Sequence, residues 1–193
     1  MEYIITILTF TGITLIGVLG SYMVTGLTGL FSFGQAAFFS VGAYTAAVLV
    51  KDFAAPFPLA VVAAMSAGLV AGLIVGYPTV RLRRDYISLV TFGFGEAIIA
   101  LLNNSTNLTG GAMGLSGIPR YTSFWVVWLS VAVCLTIVAG YKYSKYGRQC
   151  LALRSDELAA KAMGINVNRV KLVTFLFAAA MTSYAGVLYA FYT

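Results

Sequence analysis

The sequence has very few charged residues and no histidine. Only 12 basic and 6 acidic residues occur among 193, so 9% of the chain is charged, whereas a soluble domain has about 25%. So few charges cannot cover the surface of a water-soluble globule, and a soluble fold is excluded. The missing histidine excludes histidine-based catalysis and most metal sites. Cys134 and Cys150 form no CxxC pair, and we expect no disulfide between them.

Long apolar runs take the place of the missing charge. The chain is 60% apolar, and its mean hydropathy is +0.91. A bilayer core of about 30 Å needs roughly 20 apolar residues per helix. Such runs predict an all-α integral membrane protein, one transmembrane domain over 1–193, with about six spans at 3–24, 31–50, 59–80, 86–102, 124–141 and 172–192. Because Glu2 replaces the usual basic start and no clear cleavage site follows, a cleaved signal peptide is not expected.

The basic residues predict how the spans are oriented. Ten of the 12 lie in two segments, 81–84 and 142–171, and basic segments next to spans stay in the cytoplasm. Two spans separate these segments, so both lie on the same side. The amino terminus and the loop 103–123 are then outside, as in a multi-pass protein of the cytoplasmic (inner) membrane. The net charge of +6 is explained by this topology, and no nucleic-acid partner is predicted.

Two features interrupt the ordinary lipid-facing helices. The first is a glycine-rich stretch, 26–45, which makes a poor continuous helix. Such backbone is tolerated at membrane depth only inside a bundle or beside water, so it is either a broken segment lining a cavity or a cytoplasmic turn. The second is Glu96, a carboxylate in the middle of a span. This position is costly in lipid and indicates an interior site, either on a transport pathway or in a structural hydrogen bond to a neighbouring helix.

A short amphipathic helix is predicted in the basic segment 142–171. Ser155 is a suitable N-cap, and the acidic pair that follows suits the positive end of a helix. Apolar residues recur at helical spacing, and Gly164 is a natural stop; this apolar face comprises Leu158, Ala159, Ala162, Met163 and Ile165. The charge pattern leaves two roles open: the helix lies on lipid headgroups or docks in a groove of a cytosolic protein.

Three groups of motifs together resemble the permease subunits of branched-chain amino acid ABC importers, the Liv-type family. The first is GLFSFGQAAFF at 29–39, with 41–46. The second is LVTFGFGE at 89–96, followed by LTGG at 108–111 and GLSGIP at 114–119. The third is YGR at 146–148 and RSDELAAKAMGINV at 154–167. The last motif is similar to the loop, an acidic residue and Ala-Ala followed by Gly, by which importer permeases dock their ATPase.

The resemblance implies a transport subunit without cofactors that is not an enzyme. Its partners would be cytosolic ABC ATPase subunits, a second homologous permease, an extracytoplasmic solute-binding protein and the surrounding membrane lipid. It favours docking over lipid for the short helix and implies that the ATPase contact includes Asp156, Glu157, Ala159, Ala160, Ala162 and Gly164. The implied translocation pathway includes Gly29, Ser32, Gly34, Gln35 and Tyr44, with Glu96 as its charged candidate.

The expected substrates are branched-chain or related neutral amino acids. Similar permeases move urea or short amides, and the residues alone also allow an ion-coupled carrier or a membrane scaffold. The chain has no Gly-x-x-x-x-Gly-Lys-Ser/Thr loop, the motif that binds the phosphates of ATP. We therefore expect a partner subunit to hydrolyse ATP. Permeases of this family usually run longer, and the chain stops one span past the docking loop, so the family's C-terminal third is expected to be absent.

Overall fold

Most of the described chain is helical. The computed structural model describes residues 2–115 and 117–192, and within these ranges it contains helices and no strand. The helices are α1 (Glu2–Tyr22), α2 (Gln35–Phe53), α3 (Phe57–Thr79), α4 (Arg84–Asn104), α5 (Thr106–Thr109), α6 (Phe124–Tyr143), α7 (Lys145–Ser155), α8 (Glu157–Ala162) and α9 (Val167–Ala190). A π-helical stretch, Met23–Thr28, prolongs α1. The predicted all-α class is confirmed.

Six of these helices are long and apolar enough to cross a membrane, which confirms the predicted multi-pass architecture. They are α1 with its extension, α2, α3, α4, α6 and α9. α2 begins at Gln35 rather than at 31, because residues 29–34 are not helical. α9 begins at Val167 rather than at 172, because the Asn166 side chain caps it and accepts a hydrogen bond from the Arg169 N–H at 3.2 Å.

α9 lies at the centre of the bundle, and α4 lies at its edge. α9 packs against α1, α2 and α3. In its most apolar stretch 67% of the residues are buried, against 11% for α4. α4 therefore presents most of its surface to whatever surrounds the chain.

Small residues let the central helices approach closely. Gly68, Gly72 and Gly76 are four residues apart and form one stripe on α3, which faces α9. A Cβ at Gly72 would lie 3.0 Å from the Ala179 methyl, and one at Gly76 would lie 2.9 Å from the Phe175 ring. A stripe of small residues thus lets α3 and α9 pack closely.

A second, smaller core holds α7 and α8 against the ends of α1 and α9. Its buried members are Leu27, Cys150, Leu153, Ala160, Val167 and Val170. The Arg84 guanidinium donates to the carbonyls of Leu153 and Arg154 (3.2 Å to the latter) and so joins the start of α4 to the last turn of α7. The basic segments 81–84 and 142–171 thus meet at one end of the bundle, which we call the α8 end. Cys134 and Cys150 are both free and buried.

Candidate functional site

The glycine-rich connection between α1 and α2 has no helical backbone over 29–34. It begins at Gly29, whose φ of +71° is favourable only for glycine. The Arg154 guanidinium donates to the Gly26 carbonyl at 2.6 Å and so ties the end of α7 to the π-helical stretch just before this segment. Further along, the Phe33 N–H donates to Thr91 Oγ1 at 3.1 Å. Thr91 is seven residues into α4, about 10 Å along that helix, so the segment returns into the span before α2 begins.

Two polar side chains, one in this segment and one at its end, each have a buried atom without a hydrogen bond. Gln35, the first residue of α2, is 9% exposed, and its Oε1 accepts from Thr182 Oγ1 at 2.8 Å. Gln35 Nε2 and Ser32 Oγ are buried without a hydrogen-bond partner among the described residues. An unpaired buried polar group costs about 1–3 kcal/mol. Gly34 supplies no side-chain cap, so α2 begins at Gln35 with an uncapped, positively polarised end, and Ser32 lies three residues before it.

Glu96 lies on the exposed outer surface of α4. It is exposed and has no ion-pair partner in the described parts of the chain. Helical spacing places it on one stripe with Leu89, Phe92 and Gly93, which are also exposed. Toward the start of α4, the stripe borders an open cleft of about 320 Å³, which is lined by Phe33, Ser88, Leu89 and Phe92. The stripe and the glycine-rich segment therefore share one side of the chain.

Tyr44 lies in a different part of the bundle from the glycine-rich segment. It lines a cavity of about 220 Å³ at the end of the bundle opposite α8, together with Ala43, Ala47, Gly114, Leu115, Ile118, Tyr189 and Ala190. It is nine residues beyond Gln35 on α2, about 13 Å along the helix. Gly29, Ser32, Gly34 and Gln35 thus lie in or next to one short segment, whereas Tyr44 lines the cavity at the opposite end and Glu96 lies on the exposed face of α4. Among the described residues, no three His, Cys, Asp or Glu side chains cluster in a way that could hold a metal ion.

The predicted short helix is α8, and its two ends are well defined. The N-cap is Asp156 rather than Ser155, which is the last residue of α7. The Asp156 carboxylate accepts from the N–H groups of Leu158 and Ala159, at 2.8 and 3.2 Å. At the other end Gly164 has a φ of +78°. Its N–H donates to Lys161 O and the Ile165 N–H donates to Ala160 O, both near 3 Å, which is the Schellman pattern.

α8 has one face against the chain and one face without a neighbour. Ala160 is buried in the smaller core, and Ile165 packs against that core. Leu158 is 77% exposed and Met163 is 84% exposed. We call the exposed apolar surface the α8 patch; it consists of Leu158, Ala159, Ala162 and Met163.

Glu157 attaches the first turn of α8 to α9. Its carboxylate lies 2.9 Å from Lys171 Nζ and 3.2 Å from Lys161 Nζ. Burial by itself would raise the pKa of Glu157, but the hydrogen bonds and charges of the two lysines outweigh it and hold that pKa below its usual value. Sequence reasoning missed Lys171, which we counted only as a topology signal. A lysine among apolar residues at the start of a span was the available sign.

Comparison with known proteins places the chain in a family. The family described as "Branched-chain amino acid transport system / permease component" matches residues 3–193. The high-affinity branched-chain amino acid transport system permease proteins LivM of Salmonella typhimurium and Escherichia coli are each 34% identical to it, over 96% of this chain and 52% of theirs. LivH of Escherichia coli is 28% identical, over 93% of this chain and 68% of its own.

The chain therefore spans about half the length of the LivM relatives that it matches. No solved structure matches it. Permeases of this kind are transport subunits rather than enzymes. The match over nearly the whole chain, together with six membrane-spanning helices, shows that the chain belongs to the branched-chain amino acid transport permease family.

Proposed function

We propose that this chain is the membrane subunit of an ABC importer for branched-chain or related neutral amino acids. A separate cytosolic ATPase drives it, and a solute-binding protein supplies substrate at the outer face. The similarity to LivM and LivH supports the substrate class. The observation on which the proposal chiefly rests is the α8 patch, a small apolar surface on a helix whose two ends are fixed.

The α8 end faces the cytoplasm of a bacterial-type inner membrane in this proposal. Both basic segments meet there, and basic residues beside spans are retained on the cytoplasmic side. The amino terminus lies at the far end of α1 and its π-helical extension, which together have 27 residues, and is then outside. A cytosolic ATPase can reach the α8 patch in this orientation.

Docking through the α8 patch is tested by changing residues that do not pack within the chain. Ala160 is unsuitable, because it is buried. We expect L158D and M163D to abolish co-purification of the ATPase while membrane insertion is unchanged, since each places a charge on an apolar contact. The control is K142A, outside α8, which should leave the association intact. Undiminished co-purification of the ATPase with both aspartate variants would refute the docking assignment.

The substrate pathway is proposed to include the uncapped start of α2. An amino acid has a carboxylate that needs hydrogen-bond donors, and Gln35 Nε2 and Ser32 Oγ are unpaired donors beside a helix N-terminus. In transporters, interrupted helices supply such donors to anionic substrate groups. Gly29 and Gly34 let Arg154 and Thr91 pack closely against the backbone of this segment. Tyr44 lies in the separate outer cavity, where substrate would enter.

Uptake measurements test this site with a matched pair of variants. S32A and Q35E should each lower uptake of labelled leucine into vesicles that contain the assembled transporter, because one removes a donor and the other repels the carboxylate. Thr122 also has a buried, unpaired hydroxyl, but it lies near Arg120 and Thr6. T122V should therefore leave uptake unchanged. Equal uptake by wild type, S32A and Q35E would exclude the α2 start from the pathway.

A second permease is proposed to cover the exposed stripe of α4. A carboxylate in the middle of a lipid-facing helix costs about 2.5–3.5 kcal/mol on insertion scales, and the described chain supplies no partner for Glu96. A homologous subunit beside α4 would shield it and would leave Glu96 between the two permeases, next to the cleft at Phe33. A photo-activatable cross-linker attached to the thiol of G93C, whose side chain would meet nothing within 4 Å, should then react with the second permease.

The role of Glu96 can be assigned by measuring both substrate uptake and the abundance of the assembled complex in E96Q. If Glu96 lines the pathway, E96Q lowers uptake and leaves the assembled complex at normal abundance. Parallel loss of complex and uptake would assign it a structural role instead. Uptake that needs an ion gradient and no ATPase would refute the importer proposal, and competition by urea or short amides rather than by leucine would refute the substrate class.

A further inference from the structure

α9 connects the two regions that the proposed function requires to move together. At its first turns Lys171 is 1% exposed, and its Nζ lies 2.9 Å from Glu157 Oε2 on α8. Farther along, Thr182 Oγ1 donates to Gln35 Oε1 at 2.8 Å, at the start of α2. One continuous helix thus contacts α8 near its start and Gln35 farther along.

The two contacts lie on the same face of α9. Residues 171 and 182 are eleven positions apart, about three turns and 16 Å. Thr174 and Ala178 lie between them on this face, and all four residues are buried. A buried helix of this length is stiff, so a displacement of one contact moves the other.

Few contacts other than the Glu157–Lys171 ion pair attach α8 to the rest of the chain. Apart from Glu157, α8 is attached mainly through Ala160 and the following Ile165, which bury little area. Lys161 also pairs with Glu157, but its side chain is 53% exposed, and such pairs contribute little. A buried lysine is costly unless it is paired, and packing alone would be served by an apolar residue. Lys171 therefore has a role that packing does not explain.

We propose that Lys171 and Thr182 are positioning residues that transmit movement of α8 to the glycine-rich segment. When the ATPase displaces α8, the Glu157–Lys171 pair moves α9 with it. Thr182 then shifts Gln35 and rearranges the donors at the start of α2. This inference rests on the proposed function, because it requires an ATPase on the α8 patch.

The experiment measures the segment directly, in the complex assembled with its ATPase. F33C places a thiol in the glycine-rich segment, where Phe33 is 63% exposed, and its labelling rate is compared with and without ATP. K171M removes the buried charge and retains an apolar side chain of similar length. The Glu157 carboxylate can then still pair with Lys161 and with water. K161M removes the exposed partner of the same carboxylate and is the matched control.

We expect the ATP-dependent change in F33C labelling to fall about fivefold or more in K171M and by about twofold at most in K161M. ATPase co-purification should be normal in both. T182V removes the hydrogen bond to Gln35 and provides a second test if K171M assembles poorly. We expect T182V to lose the ATP-dependent change in labelling as well. T174V is the control for T182V. It removes the hydrogen bonds to Tyr141 and Cys150 but leaves the Glu157–Lys171 and Thr182–Gln35 contacts in place.

The outcomes separate this inference from the proposed function. If the wild-type complex shows no ATP-dependent uptake, the proposed function is wrong and this inference falls with it. If the wild type transports and both K171M and T182V retain the full ATP-dependent change in labelling, only the transmission through α9 is refuted. Loss of the change in T174V to the same extent would also refute it, because the effect would then reflect general damage to α9.

Discussion

Replacing Gly42 or Gly186 by alanine should strongly destabilise the bundle. At these two positions the backbones of α2 and α9 touch. A Cβ at Gly42 would fall on the Ser183 carbonyl oxygen and lie 2.6 Å from Ser183 Cα. A Cβ at Gly186 would fall on the Phe39 carbonyl oxygen and lie 3.0 Å from the Ala43 nitrogen. Neither obstacle is a flexible side chain, so the two helices must separate.

The size of the effect follows from two losses. Forcing an extra methyl group into a packed interface costs about 1–3 kcal/mol. Separating the helices also weakens the hydrogen bond from Ser183 Oγ to the Phe38 carbonyl, 2.9 Å long, which contributes about 1 kcal/mol. We therefore expect a loss of about 2–4 kcal/mol for each variant. For a chain of this size that lowers the Tm by about 5–15 °C.

Thermal unfolding in detergent measures this loss, with two glycines as controls. A Cβ at Gly17 or at Gly140 would meet nothing within 4 Å. G17A and G140A should be neutral or stabilising by up to about 1 kcal/mol, because alanine is the better helix former. If G42A and G186A unfold at the same temperature as these controls, the backbones of α2 and α9 are not in direct contact at these positions.

Three further predictions concern the two ends of the bundle. Cysteines introduced at Met113 (99% exposed) and at Leu158 should react with a membrane-impermeant reagent from opposite sides of the membrane; reaction from one side would contradict the topology. Because the pKa of Glu157 is lowered in the folded chain, its contribution to stability is complete above the ordinary glutamate value of about 4.3 and is lost as the pH falls through the lowered pKa. Proteolysis of α8 should rise in that acidic range in the wild type, whereas E157Q should show a flatter pH profile. G164A should weaken ATPase association and destabilise the end of α8 by about 1 kcal/mol, since its φ is +78° and no neighbour obstructs the methyl; unchanged proteolysis there would contradict this.

Several features could be predicted from the sequence because they depend on neighbouring residues only. A span requires about 20 apolar residues in a row, so the six spans were visible from hydropathy. The stop of α8 at Gly164 was also predicted, because a left-handed residue there favours glycine. The N-cap was placed one residue early, at Ser155, since serine and aspartate are equally good caps. The backbone decides between them, and it places Asp156 at the end of α7 and the start of α8.

The sequence by itself determined the class, the number of spans and the local ends of the helices, because lipid and backbone hydrogen bonding impose those requirements on each segment separately. Only the tertiary structure decided which polar groups meet. Gln35 and Thr182 are 147 positions apart and share a hydrogen bond, whereas Glu96 faces outward from α4. Lys171 looked like a topology charge but is buried against Glu157. Such pairings depend on the rotation and crossing of whole helices, which close packing along α9 sets.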